Sequence, residues 1–251
     1  MADNYLENQY ESYLARKAAM SQKTSKKKKN IVKIQRIQPE ALEALKEIIE
    51  QPALQMPYDI FREHLYSATD LYRGYHMGKI ETFKDCYDQQ VYSHYLNKGK
   101  SATDIKETLG RTLHDHSMTN AMNDFLSHFD EKQVVGIMGG HGLLRTEEAY
   151  RQVVMVSKTL AENGCLMISG GGPVAMEATH LGAWMAGRSE AETDDAIGIL
   201  KTAPSFKDKL WLETALQVMT KYPQDQYVSL GVPTWLYGHE PATPFATHIA
   251  K

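Results

Sequence analysis

From residue 133 onward, short apolar runs alternate with stretches whose apolar residues recur every three or four positions. The runs 134–138, 165–169, 196–200 and 227–231 have the length and continuity of parallel strands covered on both faces. Between the first two, 146–163 sets Ala149, Val153, Val156 and Leu160 at helical spacing, and Gly164 stands where a helix-ending glycine belongs. The segments 174–186 and 206–222 read as further helices, and 188–195 as a polar loop. This repetition, with short connections, predicts a parallel α/β sheet over 131–251. Residues 241–251 carry no such pattern, so four strands leave an apolar edge uncovered. The expectation is that 131–251 is the N-terminal part of its domain, or that a partner completes the sheet.

Before about residue 130 strands are hard to find and helix-compatible residues dominate. Pro39 suits a first helical position for 39–50, where Leu42, Leu45 and Ile49 share a face. A second helix is predicted over 58–75 with Ile60, Leu65, Ala68 and Tyr72 inward, and a third over 80–96. Ser101 or Thr103 caps a fourth, which directs Ile105, Leu109, Leu113, Met118, Met122, Phe125 and Leu126 to the core. The organisation is a polar, basic tail over 1–30, a helical region over 31–130 and the sheet region after it. The run Lys26–Lys29 within the tail reads as a solvated segment.

Composition narrows the function classes. The 251 residues carry a formal net charge of −3, which gives no case for nucleic-acid binding. Two cysteines, Cys86 and Cys165, are too few for a disulfide framework, and Cys165 reads as a buried thiol in a strand. The N-terminus is polar, and no apolar stretch approaches the roughly 20 residues that span a bilayer, so the expectation is a cytoplasmic protein without a membrane partner.

The chemistry concentrates in two glycine clusters. Gly139, Gly140, His141 and Gly142 follow the first strand, and Gly170, Gly171, Gly172 and Pro173 follow the second. Bare backbone at two neighbouring strand ends, each before a helix, suits an anionic ligand. The dinucleotide fingerprint is not met: Arg145 stands at its third glycine, and the second strand ends in Ser169 rather than an acidic residue. No nicotinamide, flavin or other cofactor is therefore expected. Gly99-Lys100-Ser101 lacks the first P-loop glycine, whose place His94 holds. His114 and His116 point about 200° apart on a helix, so no metal site is expected. Arg145, at a helix entrance, either meets an anion on the loop or pairs with Glu147 or Glu148. Glu177, in the first turn of the next helix, either stabilises that helix, accepts ribose hydroxyls or acts as a catalytic carboxylate, with the first two preferred.

At these residues the chain resembles the Rossmann-like family of the "lonely guy" phosphoribohydrolases, often labelled lysine decarboxylases. It is most similar to the branch of bacterial pyrimidine/purine nucleotide 5′-monophosphate nucleosidases. The matching segments are Met138-Gly139-Gly140-His141 and Gly170-Gly171-Gly172-Pro173-Val174-Ala175-Met176-Glu177-Ala178, followed by Gly182-Ala183. Val174 replaces the family's glycine in the second segment. The resemblance implies a Rossmann-like domain behind a helical region, a site near a subunit interface, hence a homo-oligomer, and Pro173 and Met176 in the nucleotide site beside the glycines. The family's Pro-Gly-Gly-x-Gly-Thr-x-x-Glu signature, which supplies its catalytic glutamate, does not occur in these residues. Catalytic residues are therefore unassigned. The expected function is binding of a nucleoside 5′-monophosphate, with hydrolysis of the N-glycosidic bond in the complete protein. The alternatives are a non-catalytic nucleotide sensor or carrier, and a scaffold whose glycines only make tight turns.

Overall fold

The four parallel strands of the computed structural model lie in the order of the sequence. β1 (Val134–Gly136) pairs with β2 (Leu166–Ser169), β2 with β3 (Ser229–Gly231), and β3 with β4 (His248–Ile249). The described residues are 56–102, 104–139, 142–235 and 240–251. The tail expected over 1–30, the helix expected over 39–50, Thr103, Gly140 and His141 lie outside them. Pro52–Lys251 makes one unit, in which the helical region from residue 56 and the sheet belong together. The architecture is the parallel α/β arrangement that the strand–helix pattern predicts, and it is consistent with the Rossmann-like domain expected from the resemblance. Among the described residues, no helix is long and apolar enough to cross a membrane.

The helical region differs in detail from the expectation. Only α1 (Ala68–Leu71) forms within 58–75, started by a Ser67–Asp70 capping box. Ahead of it, Tyr66 leaves the helical path to exchange both backbone hydrogen bonds with Ile249, at 2.8 Å each. The segment 80–96 divides into a 3₁₀ stretch (Ile80–Asp85) and α2 (Tyr87–Lys98). Next, α3 (Ile105–Leu126) is capped by Asp104, not by Ser101 or Thr103. Its inward face is Glu107, Gly110, His114, Met118 and Ala121, while Ile105 is 74% exposed. The hydrophobic pattern misplaced this face because two of its inward residues are polar and paired. Glu107 holds His94 and Arg111, and His114 holds Tyr66.

In the sheet region, α4 (Glu148–Glu162) buries Tyr150, Val154, Ser157, Lys158 and Ala161, one position round from the predicted stripe, and leaves Val156 exposed. Gly164 then takes φ +82°, as a helix-ending glycine does. Cys165 is half-buried just ahead of β2, and Cys86 is the buried thiol. After β2 come α5 (Ala175–Trp184), α6 (Glu190–Leu200) and α7 (Trp211–Lys221).

Several expectations are corrected, and the polar loop expected over 188–195 is mostly the first half of α6. The run 196–200 is the end of α6 and not a strand. Ser189 and Glu192 form a capping box, and Thr193, Ala196, Ile197 and Leu200 are buried at helical spacing. The fourth strand is instead His248–Ile249, too short to show a period. The β4 edge also differs from the open one expected, because Tyr66 pairs along it. At the other edge, Val134 and Val135 are only half-buried and Met138 is 82% exposed, so β1 is not covered on both faces.

The largest apolar cluster joins α4, α5, α6 and α7 through Tyr150, Val154, Leu181, Ile197 and Val218. Gly182 sets the approach of α4 to α5. A Cβ there would lie 2.6 Å from Ser157 Cβ and 2.8 Å from the Lys158 backbone nitrogen. Gly182→Ala is expected to destabilise the fold by about 1–3 kcal/mol through this overlap, seen as a lower urea midpoint with unchanged slope.

Candidate functional site

Both glycine clusters lie at carboxyl ends of adjacent strands, where parallel sheets present their ligand sites. Gly136 of β1 stands beside Ile168 of β2 in the register, so the two loops leave the sheet side by side. They differ in character. Gly139 and Gly142 are exposed, whereas Gly171, Gly172 and Pro173 are buried. Gly171 takes φ +69°, and a Cβ there would meet Pro233 Cδ at 2.8 Å and Gly231 Cα at 3.0 Å. Only glycine combines that backbone with that proximity to β3. Met176, half-buried, lies over the loop, and a Cβ on Gly170 would be 2.7 Å from its sulfur. Beside the loop stands a carboxylate that the sequence reading missed: Glu240 Oε2 would be 3.8 Å from a Cβ on Gly172.

Val174 links loop to helix with φ 71° and ψ −119°. This region is steeply unfavourable for a β-branched residue, at a cost of about 1–3 kcal/mol. The surroundings hold it: the side chain is buried, and its carbonyl accepts the Ala178 N–H at 2.8 Å. The strained residue therefore sits at the joint between the second glycine loop and α5.

Arg145 and Glu177 take neither of the solvent-facing roles expected for them. Arg145 is 1% exposed and donates from Nε to Glu177 Oε1 at 2.8 Å. Its terminal nitrogens reach the carbonyls of Ala203 and Trp211 and the Thr214 hydroxyl. Neither Glu147 nor Glu148 is its partner: Glu147 accepts the Leu144 N–H, and Glu148 opens α4. The fully buried Glu177 also accepts the Tyr150 hydroxyl at 2.7 Å, and its Oε2 has no partner. The physical reason for the inward turn is the ring of acceptors beneath the loops, which matches the guanidinium's fork of donors. The pair ties the residues after β1 to the first turn of α5 and to α7.

A second buried arrangement joins the strand ends. His180 of α5 meets Ser169 Oγ through Nε2 at 2.7 Å and Ser229 Oγ through Nδ1 at 2.9 Å. Ser169 Oγ in turn accepts the Gly171 N–H at 3.0 Å. The ends of β2 and β3 and the second glycine loop are thereby held on one imidazole, which burial pushes down to about 3. No spacing rule flags this trio, since its members are separated by 11 and 49 residues.

Among the remaining histidines, His114 is buried and His116 is exposed on opposite sides of α3. Gly99 ends α2 with φ +84°. Among the described residues, no group of three His, Cys, Asp or Glu is placed to hold a metal ion. Compared with protein-family models, curated proteins and solved structures, the chain matches none.

Glu177→Gln is expected to cost about 3–5 kcal/mol by leaving the buried guanidinium unmatched, and Arg145→Met a similar amount. The double variant should cost less than the sum; urea midpoints of the four proteins measure this. A loss below about 0.5 kcal/mol in either single variant would place the pair at the surface. The His180 ring gives a pH signature. The unfolded chain takes up a proton there as pH falls through about 6.5, the folded chain only near 3. Stability is therefore complete above the ordinary value and drains away below it, by up to about 1.4 kcal/mol per pH unit. Between pH 7 and pH 5, the protein should lose about 2 kcal/mol more than its His180→Asn variant. His248, also pushed down by burial, is common to both and cancels.

Proposed function

We propose that this chain binds a nucleoside 5′-monophosphate across the two glycine loops, and that the complete protein hydrolyses its N-glycosidic bond. The observation that supports this most is the emergence of the two loops side by side from β1 and β2, with the Glu240 carboxylate beside Gly172. In this reading Gly139, Gly142, Gly170 and Gly172 receive the phosphate end, and Met176 moves aside to admit it. Glu240 accepts ribose hydroxyls. Arg145 and Glu177 serve from below by holding the loops and α5 in place. The reaction would release a free base and ribose 5-phosphate through an oxocarbenium-like transition state, which calls for a carboxylate and a positioned water near the ribose. A homo-oligomer belongs to the same proposal.

One observation favours the second reading, a nucleotide sensor or carrier. Glu177 is fully buried and engaged by Arg145 and Tyr150, which withholds the helix carboxylate from catalysis.

The test is incubation of the complete, full-length protein with AMP, GMP, CMP and UMP, with calorimetry for binding and chromatography for released base. Binding of at least one nucleotide is expected. Glu240→Gln should weaken it about tenfold or more, through hydrogen bonds lost from a charged acceptor, and should leave a 2′,3′-dideoxy analogue unaffected. Binding without base release selects the sensor; no binding of any of the four removes both readings.

A further inference from the structure

A cavity of about 320 Å³ lies beyond the carboxyl ends of β3 and β4, walled by α2 and α3. Small-molecule sites begin at about this size. The rings of Tyr58, His94, Tyr95, His114 and Trp235 line it. Tyr58 stands edge-on to His94 and His114, with centroids 6.1 and 5.6 Å away, and His114 lies 5.3 Å from Trp235.

The buried and half-buried cations in this wall are already matched. Lys251 pairs with the fully buried Asp88. Arg111 donates to Glu107 at 2.8 Å, and its other nitrogens reach the carbonyls of Gly99 and Lys100. Lys100, the remaining lysine of the lining, is exposed, and the carboxylates of Glu107 and Asp115 line the same wall, so most of what the wall offers is ring faces and hydrogen-bonding edges. That chemistry suits a flat heteroaromatic ring and suits a phosphate poorly.

The location carries the assignment further. Pro233 lines the cavity, and it is the same residue that crowds Gly171 of the second glycine loop. Pro233 thus borders both the ring-lined space and the loop. We propose that the cavity receives a nucleobase, the base of the nucleotide whose phosphate end the glycine loops take. The placement of the phosphate rests on the nucleotide reading above; the binding of a base rests on the cavity itself.

The experiment is calorimetric titration of the protein with adenosine, with uridine and, separately, with ribose 5-phosphate. It is repeated on Tyr95→Ala, Tyr95→Phe and Trp235→Leu, with circular dichroism melts to verify folding. Tyr95 is half-buried and belongs to none of the apolar clusters, so its variants test the ring without opening the core. At least one nucleoside should bind. Loss of a stacking ring in Tyr95→Ala should weaken it about tenfold, and Tyr95→Phe should restore it. Ribose 5-phosphate affinity should be the same in every variant. Equal nucleoside affinity in the protein and in both ring-removing variants overturns the assignment. Ribose 5-phosphate binding without nucleoside binding also overturns it, while the nucleotide reading stands. Nucleoside binding without ribose 5-phosphate binding keeps the cavity's role and removes the phosphate site. Binding of neither overturns both.

Discussion

The buried pair of Arg145 and Glu177 is the interaction on which the rest of this molecule depends. A guanidinium and a carboxylate removed from water are costly unless nearly every donor and acceptor is met. Here five hydrogen bonds from one arginine reach Glu177, Ala203, Trp211 and Thr214, and Trp211 also places its ring 5.1 Å from the guanidinium carbon. The network reaches from the loop after β1 to α5 and α7, so neither glycine loop can shift far without exposing it. Glu177 Oε2, buried and unpartnered, is the one unmatched atom of the pair. Its desolvation penalty is borne by a site whose geometry is otherwise over-determined.

The fold class was legible in the sequence because a continuous apolar run followed by glycine and then helical spacing has few other solutions. Helix phase was less legible. In α3 the pattern of apolar residues selected Ile105 and Leu109, while the core took Glu107 and His114 because their partners His94, Arg111 and Tyr66 come from elsewhere in the chain. The run 196–200 was ambiguous by length alone, although the Ser189–Glu192 cap upstream marked a helix. At the site, the glycine clusters were visible and their unequal burial was not. Arg145 stands out in the sequence as a cation at a helix entrance, but only three-dimensional proximity reveals that its partner is Glu177. Glu240 carried no signal at all, since nothing in its neighbourhood of the sequence points to Gly172.

The second glycine loop has the character of a sprung element rather than an open cradle. Val174 holds a backbone shape that favours glycine, Met176 covers the loop, and Ser169 ties down the Gly171 amide. Such strain persists only where packing on all sides enforces it. The ring-lined cavity next to it is walled on one side by the helical region, which gives that region a part in ligand recognition within the proposed function rather than a purely architectural one.

The pairing of Tyr66 with Ile249 has a temporal side. Every strand of the sheet is preceded in the chain by the residue that pairs along the β4 edge, and the two partners are separated by almost the whole described length. During synthesis Tyr66 leaves the ribosome long before Ile249 exists. Until then β3, the most recent strand, keeps a bare hydrogen-bonding edge of the kind that recruits other chains. The final closure is a contact of very high sequence separation, so it belongs among the slow, late events of folding. A nascent chain halted before residue 248 would carry Tyr66 without its partner and present β3 as a template for association.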